Sequence, residues 1–379
     1  MLYRKMNNVP SDLSILGFGC MRLPVMKDGH IDEPLATEML RYAIDHGVNY
    51  VDTAYPYHNG ESEPFVGRAL QGGYRDRVFL ATKLPIWFIK SRQDMDKYLD
   101  EQLTRLQTDH IDFYLVHGIM RPFWQSIVSL GLFEFLDSAL ADGRIRYAGF
   151  SFHDDIGLFK EVVDAYPWTF CQIQYNFMDE LYQAGTEGLM YAAERGLGVV
   201  VMEPLRGGML TKDVPSISQI WDKARVHKTP SEWALDWVWN HPEVTVVLSG
   251  MSAPEQVAEN VAYADGGRPG SLSIEELSLF EEVKAEYQKR IAIPCTGCRY
   301  CMPCPSNVSI PECFEAYNQC QMYGATDIAA ANYNLVMGGF FGPSGFASQC
   351  KECKECEEKC PQKIPIPERL KEVAAKFGK

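Results

Sequence analysis

The chain has 379 residues, with 36 Lys and Arg against 50 Asp and Glu, a formal charge of −14, 46% apolar and 23% charged residues. That length predicts two domains, the first of them large. So acidic a balance excludes nucleic acid and anionic membrane surfaces as expected partners. No apolar run reaches the roughly eighteen residues of a transmembrane helix. The opening stretch MLYRKMNNVPSDLSILG lacks the apolar core of a signal peptide, so a cytoplasmic location is expected.

From residue 14 to about 264 one plan repeats. Short apolar runs stand at 14–19, 50–54, 78–84, 111–117, 147–152, 170–176, 198–204 and 244–250. Most are spaced by about thirty residues, the length of a strand-plus-helix unit. Between them Ala36, Leu40, Ala43, Ile44 and Gly47 recur at helical spacing, as do Met95, Leu99, Leu103 and Leu106, and Leu132, Phe135, Leu136, Ala139 and Leu140. Eight such units predict parallel strands with helices outside, an α/β chain closed as a (β/α)8 barrel. The rival, an open doubly wound sheet, usually brings a Gly-rich loop after its first strand, and none is visible. Residues 205–230 read as a long loop over the barrel mouth. The predicted division is a barrel over 1–270, a linker helix over 271–290 and a cysteine-rich, mainly helical domain over 291–379.

Barrel sites lie where strands end, so polar residues there come first. Asp52 ends the second run, Tyr57 follows it, Lys83 is near the end of the third and His117 ends the fourth. Each type also serves as a structural acid, a packed ring or a cap. Together they form a proton-transfer set. A carbonyl that accepts hydride becomes an alkoxide and needs a proton. Free Tyr, with a pKa of about 10, donates poorly at neutral pH. An ammonium such as Lys83 lowers that pKa, Asp52 can orient the ammonium, and His117 can hydrogen-bond the substrate oxygen.

The stretch DTAYPYHNGESEPFVGRAL at 52–70 resembles the Asp-Thr-Ala…Tyr…Gly-x-Ser-Glu…Gly-x-Ala-Leu pattern of the aldo-keto reductases, and GRIRYAGFS at 143–151 is similar to a further segment of that family. The resemblance covers about 1–264 and implies a (β/α)8 barrel with NAD(H) or NADP(H) across its mouth, and Asp52, Tyr57, Lys83 and His117 as the catalytic tetrad. It also implies Ser151 and Gln172 at the nicotinamide amide, Met202 where an aromatic ring usually stacks, and Leu205, Arg206, Gly207 and Gly208 towards the pyrophosphate. Glu259 and Asn260 match the adenine contacts. Gly250 and Gln256 stand where Lys and Arg often hold a 2′-phosphate, and without those cations the strongest phosphate contacts are lost.

Only Cys20 and Cys171 precede residue 295, and ten of the twelve cysteines lie between 295 and 360. In a reducing compartment that density predicts metal or clusters before disulfides. Cys295, Cys298, Cys301 and Cys304-Pro305 form one run; Cys350, Cys353, Cys356 and Cys360-Pro361 form another. The second has the spacing of the bacterial ferredoxin run. That resemblance implies two [4Fe–4S] clusters, one held by Cys295, Cys298, Cys301 and Cys360, the other by Cys304, Cys350, Cys353 and Cys356. Tetrahedral zinc is the alternative. Cys313 and Cys320 share a helical face and read as core.

The whole chain is therefore expected to be an oxidoreductase acting on a small carbonyl or alcohol, with clusters serving structure or electron transfer. The alternative is a redox sensor or electron-transfer protein, linked to a ferredoxin-type partner, with a weakly catalytic barrel. No flavin fingerprint is apparent, and a flavin at the barrel mouth stays open.

Overall fold

The computed structural model describes residues 1–339 and 343–378. Eight strands form a closed barrel: β1 (Leu16–Gly19), β2 (Tyr50–Asp52), β3 (Phe79–Leu84), β4 (Ile111–Ile119), β5 (Ile145–Phe152), β6 (Phe170–Gln174), β7 (Gly198–Met202) and β8 (Val244–Gly250). Neighbours pair in parallel in chain order, and β8 closes onto β1. Strands buried on both faces must be apolar throughout, which is why the expected runs fall on the observed strands.

Three helices outside the barrel matter for the site: α1 (Glu33–Asp45), α2 (Ser62–Ala69) and α3 (Arg92–Leu106). Asp32 caps α1 by accepting from Leu35 N, and Gly47, at φ +100°, takes the left-handed turn beyond its end. Ser91 and Asp94 form a capping box on α3. That helix buries Met95, Leu99 and Leu106 as its spacing predicts, but it buries Gln102 where the periodicity favours Leu103.

The barrel interior is filled by Tyr50, Phe113, Phe170, Val200 and Leu248, joined by Met6, Val9 and Leu13 from the N-terminal segment. A Cβ at Gly198, the first residue of β7, would lie 2.4 Å from Met6, so this segment plugs the end where strands begin. The end where strands finish is left for chemistry.

The chain divides into two compact units, residues 1–205 with 232–273, and residues 206–231 with 274–379. The segment read as a long loop instead carries a helix, Pro215–Trp221, in the second unit, where Trp221 packs edge-on to Phe280 at 4.9 Å. Proline at its first position and the buried pair Ile217 and Trp221 are a helix signal, only short. Phe280 lies on the helix Ile274–Gln288, which belongs to the same unit. Helices Ile310–Tyr323, Thr326–Met337 and Ile366–Phe377 enclose a core that includes Phe314, Tyr333, Leu370 and Val373. Cys313 and Cys320 are both buried. Among the described residues no helix is long and apolar enough to cross a membrane.

Gly149 of β5 faces Phe170 of β6, and a Cβ there would lie 2.4 Å from the ring. Gly149→Ala is expected to cost about 1–3 kcal/mol by overpacking, read as a lower urea midpoint at unchanged slope.

Candidate functional site

Strand pairing brings three side chains together at one end of the barrel. β2 ends in Asp52, which pairs with Ala81, two residues before Lys83 on β3; Lys83 in turn pairs with Leu115, two before His117 on β4. Asp52, Lys83 and His117 are 3%, 0% and 9% exposed. Tyr57 comes from the turn after β2, where His58 and Asn59 take left-handed φ of 51° and 55°. His58 Nε2 accepts from Leu23 N at 3.2 Å and anchors that turn to the segment after β1.

Lys83 is the hub. Its Nζ donates to Asp52 Oδ1 at 2.6 Å, to Thr53 O at 2.8 Å and to Tyr57 Oη at 3.4 Å. The rings of Tyr57 and His117 stand 6.0 Å apart, edge to face, and Trp87 lies 4.8 Å from His117. The second oxygen of Asp52, Nδ1 of His117 and Nε1 of Trp87 are buried without a hydrogen-bond partner.

Burial opposes the charge of Lys83, but Asp52 and then Tyr57 outweigh it, so the ammonium is kept. Burial raises the Asp52 carboxyl, with Lys83 pulling the other way. Tyr57 is raised as well, by burial first, against the pull of Lys83. The expected lowering of the phenol is thus reversed in sign, because desolvation of phenolate exceeds the attraction of one ammonium. Tyr57 is held as a protonated phenol. His117 is pushed well below the ordinary imidazole range by burial, then by Lys83 and His153, and is neutral.

Other expected positions divide. Ser151 on β5 and Gln172 on β6 are register partners and both buried. Ser151 Oγ accepts from Gly118 N at 2.8 Å. Gln172 Nε2 lies 3.6 Å from Met202 Sδ, and its Oε1 is buried without a partner. Gln256 is exposed, and its Oε1 accepts from Ser252 N at 2.8 Å. Asn260 is buried and donates to Ser249 Oγ at 3.0 Å, whereas Glu259 is exposed. Leu205 ends the first segment of the barrel unit. Arg206, Gly207 and Gly208 fall in the second unit, all at positive φ, and the Arg206 guanidinium donates to Tyr323 Oη and lies 5.2 Å over its ring. Gly250 is flanked by Arg22, whose stem lies 3.3 Å from where a Cβ would be, and Arg22 Nη2 is 3.8 Å from Glu203 Oε1. Nothing in the local sequence marks Arg22, since only β8–β1 closure brings it there. Trp124, on the helix Arg121–Ser129 that follows β4, is buried and donates to Glu161.

In the second unit all eight cysteines of the two runs are unpaired thiols. Cys295, Cys298, Cys301 and Cys360 line one cleft. Cys304, Cys350, Cys353 and Cys356 line another, which Cys301 also borders. Each set draws on both runs, as the fourth-cysteine crossover requires. Among the described residues no three His, Cys, Asp or Glu converge closely enough for one ion; the thiols surround a space instead.

The aldo/keto reductase family model matches residues 15–285, and a 4Fe-4S dicluster domain model matches 294–364. The aldo-keto reductase YhdN of Bacillus subtilis (strain 168) is 34% identical over 298 residues, 68% of this chain and 87% of that protein. The NADH-specific methylglyoxal reductase of Escherichia coli (strain K12) is 26% identical over 279 residues, 62% of this chain and 84% of its own. Among solved structures, aldo-keto reductase AKR11C1 from Bacillus halodurans in its holo form superposes with a TM-score of 0.63 at 28% identity, covering 74% of this chain and 96% of that one. The chain belongs to the aldo/keto reductase family, a family of oxidoreductases, and its C-terminal segment is a 4Fe-4S dicluster domain.

His117 and His153 both have imidazoles depressed first by burial, His153 to about 4. The unfolded chain, with imidazoles at about 6.5, therefore binds more protons in acid. Their stabilising contribution is present above about 6.5 and lost as pH falls towards about 4. His153→Gln is expected to flatten the fall of the urea midpoint between pH 7 and pH 5, roughly the window set by these values.

Proposed function

We propose that the chain interconverts a small carbonyl compound and an alcohol with NAD(H) or NADP(H), Tyr57 serving as general acid in reduction and general base in oxidation. The observation that carries this is the buried Lys83 ammonium bonded at once to Asp52, Thr53 O and Tyr57. Tyr57, held protonated, gives its proton to the forming alkoxide. Lys83 stabilises the phenolate left behind, and Asp52 keeps Lys83 charged and aimed. His117, neutral, hydrogen-bonds the substrate oxygen and fixes the carbonyl against Tyr57. Bound nicotinamide supplies or accepts the hydride.

The residues fit such a group. Gln172 Oε1 is an orphaned buried acceptor suited to a carboxamide N–H, and Ser151 Oγ, accepting from Gly118, retains its own hydrogen to donate. Leu205 is assigned towards the pyrophosphate, and Glu259 and the Oδ1 of Asn260 towards adenine. Gly250 and Gln256 themselves offer no cation to a 2′-phosphate, but Arg22 stands beside Gly250, so either NAD(H) or NADP(H) is proposed. The E. coli relative is by its name NADH-specific. Tyr57→Phe should lower kcat for aldehydes and 2-oxoaldehydes by roughly 10²- to 10⁴-fold, with iron content and NADH binding retained. An unchanged kcat would refute the assignment.

The two clefts support two [4Fe–4S] clusters with the crossed ligand sets. Cys360→Ser should reduce iron from about eight to about four per chain, although Cys360 is remote in sequence from the three thiols that share its cleft. The double variant Cys350→Ser with Cys360→Ser should lose both clusters, and retention of about four irons per chain would refute the crossed assignment.

A second role has its own observation. Cys298 and Cys353 are exposed, one on each set, so each cluster would have an edge open to a one-electron partner. The clusters, when bound, store electrons singly. Dithionite-reduced, desalted protein that recovers its visible band on adding NAD⁺ or NADP⁺, while the absorbance of reduced nicotinamide grows, would couple the two chemistries, and a spectrum indifferent to both would separate them.

A further inference from the structure

The Gly-x-Ser-Glu and Gly-x-Ala-Leu halves of the 52–70 motif are not explained by the tetrad, which uses only Asp52 and Tyr57 of that stretch. In the structure Ser62 and Glu63, both 0% exposed, open α2 and reach back to the strands that carry the site. Ser62 Oγ lies 2.8 Å from Thr53 Oγ1 and donates to Cys20 O at 3.2 Å. Thr53 is the residue whose carbonyl receives Lys83 Nζ. Glu63 Oε1 accepts from Thr82 Oγ1 and from Gln102 Nε2, each at 2.6 Å. Gln102 Nε2 also donates to Lys83 O at 3.0 Å, and Gln102 Oε1 accepts from Tyr114 Oη at 2.8 Å. Arg105 Nη1 stands 3.6 Å from Glu63 Oε2. Gly67 makes this crossing possible, since a Cβ there would lie 2.5 Å from Arg105 O.

We propose that Glu63 is a positioning residue for Lys83, acting through Gln102 and Thr82, and that the Ser-Glu pair at the start of α2 sets the distance between the Lys83 ammonium and Tyr57. The physical reason is that Lys83 is held at both ends from one helix. Its carbonyl is fixed by Gln102, which Glu63 holds. Its ammonium is received by Thr53 O, beside the Thr53 hydroxyl that Ser62 meets. A carboxylate in this interior is costly unless its acceptors are used, and both donors on Oε1 come from residues that frame Lys83. Shifting Lys83 by a fraction of an ångström changes how far it stabilises the phenolate, and misplacement on this scale is known to cost rate steeply.

The charged or titratable groups facing Tyr57 are Lys83, Asp52, Glu203 and His117; Glu63 faces Arg105, with Glu101 beyond it. Glu63 therefore acts on Tyr57 through the placement of Lys83 and not by its own charge. This rests on the role given to Tyr57 above, so the test needs a readout without turnover. Phenolate absorbance is titrated in the full chain and in its Tyr57→Phe form, with and without Glu63→Ala, and the difference reports the Tyr57 midpoint. Glu63→Ala is expected to move that midpoint up by on the order of one pH unit. It should also move the alkaline limb of carbonyl reduction the same way, and lower kcat on the order of tenfold with KM for NADH unchanged. Glu63→Gln keeps the accepting oxygen and should restore most of kcat. If Glu63→Ala does not fold, Thr82→Val, which removes one donor in nearly the same shape, should shift the midpoint in the same direction by less. A folded variant with unmoved midpoint and kcat overturns the proposal, as does Glu63→Gln failing as badly as Glu63→Ala, which would assign the effect to the pair with Arg105. If the midpoint moves but the unaltered chain reduces no carbonyl, the positioning stands and the proposed reaction falls.

Discussion

An ammonium with no exposure at all is the constraint from which the barrel end is organised. A buried charge is tolerated only when paired and hydrogen-bonded. Lys83 meets that demand with a carboxylate, a backbone carbonyl and a phenol, supplied from β2, from the residue after it and from the following turn. Those partners stand in range because β2 and β3 pair in one register; a slip of one residue would turn Asp52 or Lys83 to the opposite face. The register rests in turn on an apolar barrel interior, plugged at the far end by Met6, Val9 and Leu13. Behind the strands, α2 and α3 meet closely at Gly67 and bury a second polar group, Glu63 with Gln102, next to the first. Each buried network lies against the other, so neither is an isolated feature of one strand end.

The second unit has a different economy. Its core includes Ile293, Phe314, Tyr333 and Leu370, and Cys295, Cys301, Cys304, Cys350, Cys356 and Cys360 pack against it. Thiols from two runs, whose nearest members Cys304 and Cys350 are 46 positions apart in the chain, line shared clefts, so the proposed cluster ligation and core packing draw on the same segments. In small domains such ligation commonly substitutes for apolar area that the chain is too short to bury. The segment 206–231 is part of this unit although it follows a barrel strand, and Arg206 is bonded there to Tyr323.

Some of the site was open to inspection of the chain and some was not. Asp52, Lys83 and His117 stand at the ends of apolar runs, where a parallel barrel puts its working groups, and they do meet. Gln102 was hidden by periodicity: Leu103 is the residue an amphipathic pattern selects, yet the amide is buried because Glu63, Lys83 and Tyr114 satisfy it across three other elements. Arg22 was hidden by distance along the chain, since Gly250 comes beside it only when the first and last strands pair. The direction of the Tyr57 shift was hidden as well. Proximity to Lys83 argues one way, and burial, which no single stretch of sequence reports, argues the other and prevails.

The chain's own order of residues determined the repeating strand-and-helix plan, the polar residues Asp52, Lys83 and His117 at strand ends and the two four-cysteine runs, because these follow from local pattern and from cysteine spacing. Only the tertiary structure decided which buried groups touch, which side chains are already engaged and how solvent exclusion tips each titration. Those outcomes depend on register, on barrel closure and on helix crossings, where residues far apart in the chain become neighbours and water is removed from between them.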